Sequence, residues 1–103
     1  MASYIKVAKK AEVPPGEVRE FHANGKLVAL CNVAGSFYAI DNTCLHRGGP
    51  LGQGVLTDEV LTCPWHGWQY NVRTGEVVFN PAIKVEMYEV RVEGEDIFVG
   101  FEE

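Results

Sequence analysis

Four residues, Cys44, His46, Cys63 and His66, restrict the fold of this chain more than any others. They come as two pairs, Cys44-Leu45-His46 and Cys63-Pro64-Trp65-His66, with residues 47–62 between them. Thiolates and imidazoles are ligands for zinc, iron and other transition metals, so two such pairs at close spacing read as a metal site. A site of this kind needs two loops, distant in sequence, to meet face to face. Each pair sits in sequence that lets the backbone curl tightly: Arg47-Gly48-Gly49-Pro50 follows the first and Gly67 the second. The stretch from Asp41 to Tyr70 is therefore what the remaining chain must hold.

The remaining chain reads as strands. Tyr4 to Ala8 alternates apolar and polar residues, Val13-Pro14-Pro15-Gly16 interrupts, and Glu17 to His22 resumes. Asn24-Gly25 is a strong hairpin signal, because a type I′ turn needs positive φ at both central positions. It leads into Lys26 to Val33, where Leu27 to Cys31 is apolar throughout, as in a strand buried on both faces. Phe37 to Ile40 delivers the first pair, and Val60-Leu61-Thr62 delivers the second. Trp68 to Asn71 and Glu76 to Phe79 read as strands around Arg73-Thr74-Gly75, and Asn80-Pro81-Ala82 as a break. Ile83 to Val92 is the longest strand expected, with a bulge at Met87-Tyr88, and Ile97 to Phe101 closes the chain. Helical spacing is nowhere sustained beyond about two turns, while eleven glycines and five prolines punctuate the strands, so the fold class is all-β.

A chain of 103 residues is expected to form one domain, 1–103, with the metal-binding part at about 41–70. A net charge of -5 and no clear cluster among nine Lys and Arg argue against nucleic acid. No stretch approaches the roughly 18 apolar residues of a membrane span, and the opening residues do not resemble a signal peptide, so the expected location is cytoplasmic. There, three cysteines with two beside histidines favour metal over a disulfide. Cys31, inside an apolar run, reads as a buried small hydrophobe, and His22 as a surface residue. The acidic C-terminal end, with Glu86, Glu89, Glu93, Glu95 and Asp96, reads as the solvated face of an edge hairpin.

Two thiolates and two imidazoles serve either a tetrahedral zinc ion or a 2Fe-2S cluster with histidines on one iron. Zinc fingers pair cysteine with cysteine and histidine with histidine, whereas each pair here mixes the two. Mixed pairs suit a binuclear centre in which each loop sends its Cys to one iron and its His to the other. Cys-x-His followed by Cys-x-x-His, with Gly67 after the last ligand, resembles the motif of Rieske iron-sulfur proteins, and the likeness extends over nearly the whole chain.

The resemblance implies a stack of small antiparallel sheets with a cluster-binding subdomain formed by two loops at strand ends. It implies one Rieske-type 2Fe-2S cluster, Cys44 and Cys63 on the inner iron and His46 and His66 on the outer. Gly48, Gly49, Gly67, Trp68, Tyr70 and Pro81 would surround the cluster, and Leu45, Arg47, Pro64 and Trp65 would form a docking patch around the histidines. The chain is similar to the soluble ferredoxins of bacterial aromatic-ring dioxygenases. It is thus expected to be a monomeric one-electron carrier, docking transiently on a reductase and on a terminal oxygenase, with no catalytic site of its own. A permanent place in a larger oxidoreductase, such as the small subunit of nitrite reductases, and a structural zinc domain are the alternatives.

Departures from the high-potential relatives matter. Where those carry a disulfide between the loops, this chain has Gly49 and Trp65, and where they carry a serine that bonds a bridging sulfide it has Trp68. Tyr70 does match their tyrosine, a donor to a cysteine sulfur. Losing one donor destabilises the more negative, reduced state, so a midpoint near the lower end of the Rieske range, roughly -150 mV, is expected.

Overall fold

Alternate side chains of a strand point to opposite faces, and β3, Lys26–Val33, shows how that rule builds this molecule in layers. Val28 and Leu30 enter one core with Ala39, Ile97, Val99 and Phe101. Ala29 and Cys31 enter another with Ile40, Leu61, Tyr70 and Val77. A strand that serves two cores is apolar at the positions that enter them, Val28 to Cys31, as the sequence implies. Its neighbours are β2, Val18–Ala23, and β4, Ser36–Asp41.

The computed structural model describes residues 2–45, 48–65 and 67–102, arranged as two antiparallel sheets. With β1 as Ala2–Lys9, β10 as Met87–Glu93 and β11 as Asp96–Glu102, the larger sheet runs β1-β11-β10-β4-β3-β2. The smaller sheet runs in chain order through β5 (Val55–Thr57), β6 (Val60–Thr62), β7 (Gln69–Asn71), β8 (Glu76–Val77) and β9 (Asn80–Lys84). Short 3-10 turns at Lys10–Glu12 and Leu51–Gln53 are the helical pieces among the described residues. No helix among them is long and apolar enough to cross a membrane.

Turn chemistry sets the hairpins. Asn24 (φ 53°) and Gly25 (φ 74°) take the left-handed conformation that joins β2 to β3, with Ala23 paired to Lys26. The next hairpin puts Ala34 at φ 52°, an unfavourable place for a side chain. The buried Asn32 offsets this: its Oδ1 accepts from the Gly35 N–H at 2.8 Å and its Nδ2 donates to the Val13 carbonyl at 2.8 Å.

Four expectations need correction. Asn80-Pro81-Ala82 does not break the pattern but opens β9, at the edge of the small sheet, where a proline can stand without a ladder N–H. Glu76 to Phe79 shrinks to Glu76–Val77, and Ile83 to Val92 is two strands in different sheets, not one with a bulge. The chain crosses between sheets at Val85 and Glu86: the Val85 N–H donates to the Gly75 carbonyl at 2.8 Å, and the Glu86 carbonyl accepts from the Asp41 N–H at 2.9 Å. The acidic β10–β11 hairpin is not at an edge either, since β1 covers one side and β4 the other.

Candidate metal centre

The two ligand loops hang from different sheets. The first follows β4 and runs into the Leu51–Gln53 turn, and a bridge between Thr43 and Pro50 closes it. Within it the Cys44 N–H donates to the Gly49 carbonyl at 2.9 Å and the Gly48 N–H to the Cys44 carbonyl at 2.8 Å. Gly48, at φ 74°, makes that return possible. The second loop joins β6 to β7 and is closed by the Cys63 N–H donating to the Trp68 carbonyl at 2.7 Å, with Gly67 at φ 73°.

Folding brings the two cysteines together. Both are 2% exposed, their side chains adjoin, and no disulfide joins them. Burial pushes the Cys63 thiol up, the Trp65 N–H that reaches its Sγ at 3.4 Å pulls it back, and the neighbouring Cys44 raises it again. Tyr70 is fully buried, with its hydroxyl 3.2 Å from the Cys44 Sγ. That hydroxyl accepts from the Leu45 N–H at 2.9 Å, which leaves its own proton free to point at the sulfur. Burial, then the contact with Cys44, raises the tyrosine pKa well above its usual value, so it stays a donor at neutral pH. Two buried sulfurs side by side, each with a donor aimed at it, form a poor place for thiolates alone and a good one for thiolates sharing a cation.

The loops also pack on each other. A Cβ added at Gly49 would lie 3.0 Å from the Cys63 Sγ and 3.0 Å from the Trp65 ring, so glycine lets the indole of one loop lie against the backbone of the other. Trp68 packs on the core and meets Phe79 edge to face, with ring centroids 4.9 Å apart. Leu45 and Trp65 are about half exposed, and Pro64 and Pro81 are exposed, Pro81 on β9. Cys31 is buried in the core and forms no part of the loops, its thiol pushed up to about 12 by burial.

His46, Arg47 and His66 lie outside the described residues. The cysteine half of the expected ligand set is thus assembled, with Gly49, Trp65 and Tyr70 against it. The sequence reading missed Phe79, which stands 63% exposed beside Trp68, and a group of polar residues at the base of the first loop. An exposed aromatic next to a turn leaves no periodic signal.

Comparison with known proteins decides the family, because the sequence model of the Rieske [2Fe-2S] domain matches residues 3–89. The chain belongs to that family. Its cofactor is accordingly one Rieske-type 2Fe-2S cluster, and the adjoining, donor-facing sulfurs of Cys44 and Cys63 suit the thiolate side of it. Among the similar proteins is the ferredoxin component of biphenyl 2,3-dioxygenase from Rhodococcus jostii (strain RHA1), 34% identical over 98 residues, 94% of this chain and 92% of the relative. Among solved structures, the ferredoxin of carbazole 1,9a-dioxygenase from Nocardioides aromaticivorans IC177 superposes with a TM-score of 0.87 at 32% identity, covering 94% of this chain and 96% of the other. A ferredoxin solved as a complex of reduced oxygenase and oxidized ferredoxin in carbazole 1,9a-dioxygenase gives 0.85 at 32% identity, covering 93% and 91%.

Proposed function

We propose that this Rieske chain is a one-electron carrier that accepts an electron from a reductase and passes it to a terminal oxygenase. The observation that carries the reading is the pair of adjoining buried cysteine sulfurs in loops whose outer residues, Leu45, Pro64 and Trp65, are exposed. In this reading Cys44 and Cys63 hold the inner iron, and His46 and His66 the outer one. Bound there, the cluster supplies a one-electron couple that its two neutral imidazoles make easier to reduce than an all-thiolate cluster.

The protein's part is to hold and tune. Tyr70 and the Trp65 N–H donate toward the two sulfurs and so favour the reduced, more negative state. The indole of Trp65 on Gly49 fixes one loop against the other and excludes water from the Cys63 side. The exposed faces of Leu45, Pro64 and Trp65 offer a small, mostly apolar surface for brief docking on each partner in turn. Three cysteines that form no disulfide suit a cytoplasmic setting.

Iron and acid-labile sulfide analysis, with an EPR spectrum of the reduced protein, tests the reading. Two irons and two sulfides per chain with a rhombic signal are expected, whereas zinc without sulfide would overturn it. Gel filtration should show a monomer that stays apart from its partners, and co-elution with a larger oxidoreductase would make it a fixed subunit instead.

A further inference from the structure

The second ligand loop is held by its own hairpin, β6 with β7, whereas the first is closed on itself by the Thr43–Pro50 bridge and is not flanked by two paired strands. It leaves β4 at Asp41 and re-enters the fold at the Leu51–Gln53 turn, so its position depends on what fixes its neck. Asn42, 3% exposed, supplies that. Its N–H donates to the Leu27 carbonyl at 3.2 Å, its carbonyl accepts from the Leu51 N–H at 2.7 Å, and its Oδ1 accepts from the Gly52 N–H at 2.7 Å. Its Nδ2 donates to Oε2 of Glu20 at 2.6 Å. The other oxygen of Glu20, Oε1, accepts from Nε2 of Gln53 at 3.1 Å.

One carboxylate on β2 therefore grips both ends of the loop, Asn42 before it and Gln53 after it. Two hydrogen bonds that converge on one side chain from the two ends of the loop suit a clamp. Sterics add a second constraint: a Cβ at Gly52 would lie 2.2 Å from Cγ of Glu20 and 2.7 Å from Oδ1 of Asn42. The turn can press against β2 only because residue 52 is glycine. Since the second loop belongs to the other sheet, this clamp also governs where the first loop stands relative to it.

We infer that Glu20 is a positioning residue for electron transfer, holding the neck of loop 43–50 on β2 so that Cys44 stands in register with Cys63. The inference rests on the carrier reading only in taking Cys44 as a ligand; the clamp itself is read from contacts that involve neither sulfur. Glu20→Ala removes both bonds, while Glu20→Gln keeps an oxygen to accept from Asn42.

The test compares the two variants with the parent, all purified with cluster, by the EPR spectrum of the reduced state, the rate of iron loss to a chelator and hydrogen exchange at Leu51 and Gly52. In E20A, shifted g-values, iron loss about tenfold faster, the low end for lost ligand-supporting bonds, and faster exchange at both amides are expected. E20Q should restore the parental spectrum and most of the protection. An E20A protein with parental spectrum and iron-loss rate overturns the inference, even if the two amides exchange faster, since the clamp would then serve the fold alone. Should E20A fail to fold, Gln53→Ala, which removes one bond at an exposed residue, gives the same comparison with a smaller shift. A parent protein without iron overturns the reading of the site instead, a failure the iron analysis separates from this one.

Discussion

At Tyr70 a single hydroxyl does two tasks, accepting from the Leu45 N–H and donating toward the Cys44 sulfur. Its ring is buried in the core, so Tyr70→Phe keeps the packing and deletes both the donor to the sulfur and the acceptor of the Leu45 N–H. A differential loss of about 1 kcal/mol between the redox states corresponds to ~40 mV for a one-electron couple. The midpoint of Y70F should fall by about that amount in a potentiometric titration, and thermal unfolding should show a loss of about 1–3 kcal/mol for the Leu45 N–H left without its acceptor. Cys31 makes the opposite case, a thiol whose surroundings matter to stability and not to redox chemistry. Its pKa is pushed up to about 12 by burial, whereas an unfolded chain releases that proton from about 8.5. Above 8.5 the unfolded state therefore binds fewer protons, and stability falls with rising pH, by about 1.4 kcal/mol per unit, until the folded thiol ionises near 12. In urea denaturation at pH 8 and pH 10, Cys31→Ala should be the less stable protein at pH 8 but should lose less between the two pH values than the parent.

The two ligand loops meet at Gly49 and Trp65, and that contact makes a test at the scale of elements. A methyl group at residue 49 would meet both the Cys63 sulfur and the indole at 3.0 Å, so Gly49→Ala should cost about 1–3 kcal/mol, the usual range for overpacking. Trp65→Ala removes one of the two obstacles. Thermal unfolding of the two single variants and the double should therefore show a penalty for G49A that is smaller in the W65A background, a coupling that independent loops would lack. Much of this architecture was legible beforehand. Asn24-Gly25 announced its hairpin because only a few residues tolerate its backbone, and β3 was legible because burial on both faces selects apolar residues from Val28 to Cys31. The two Cys and His pairs, with the glycines that flank them, marked both loops at strand ends. What stayed hidden depends on partners distant in sequence. The break at Val85 and Glu86 arises because two sheets bid for neighbouring backbone groups, and nothing local to Ile83–Val92 records that. The Glu20, Asn42 and Gly52 clamp was invisible for the same reason, each residue being unremarkable until 22 positions of chain between Glu20 and Asn42 fold back.

For the whole molecule, the placement of the two cores decides how it should respond to losing iron. One core lies within the large sheet and, among the described residues, takes none from the ligand loops: Val28, Leu30, Ala39, Ile97, Val99 and Phe101 close on one another. The other joins the two sheets and includes both Cys44 and Cys63. The strands differ as well, six to eight residues in the large sheet against two to five in the small one. Short strands with few ladder bonds gain little stability of their own, so the small sheet depends on that shared core. Removing the cluster leaves two buried thiols where a cation had been, and their neutral forms no longer draw the loops together. Hydrogen exchange on the apoprotein should then show a split: amides of β6 and β7 lose most of their protection while those of β3 and β4 keep it. Uniform loss across both sheets would mean that the molecule unfolds as one cooperative unit and that the cluster stabilises all of it. Unchanged protection in β6 and β7 would mean that the small sheet is formed independently of the metal and simply offers it a seat.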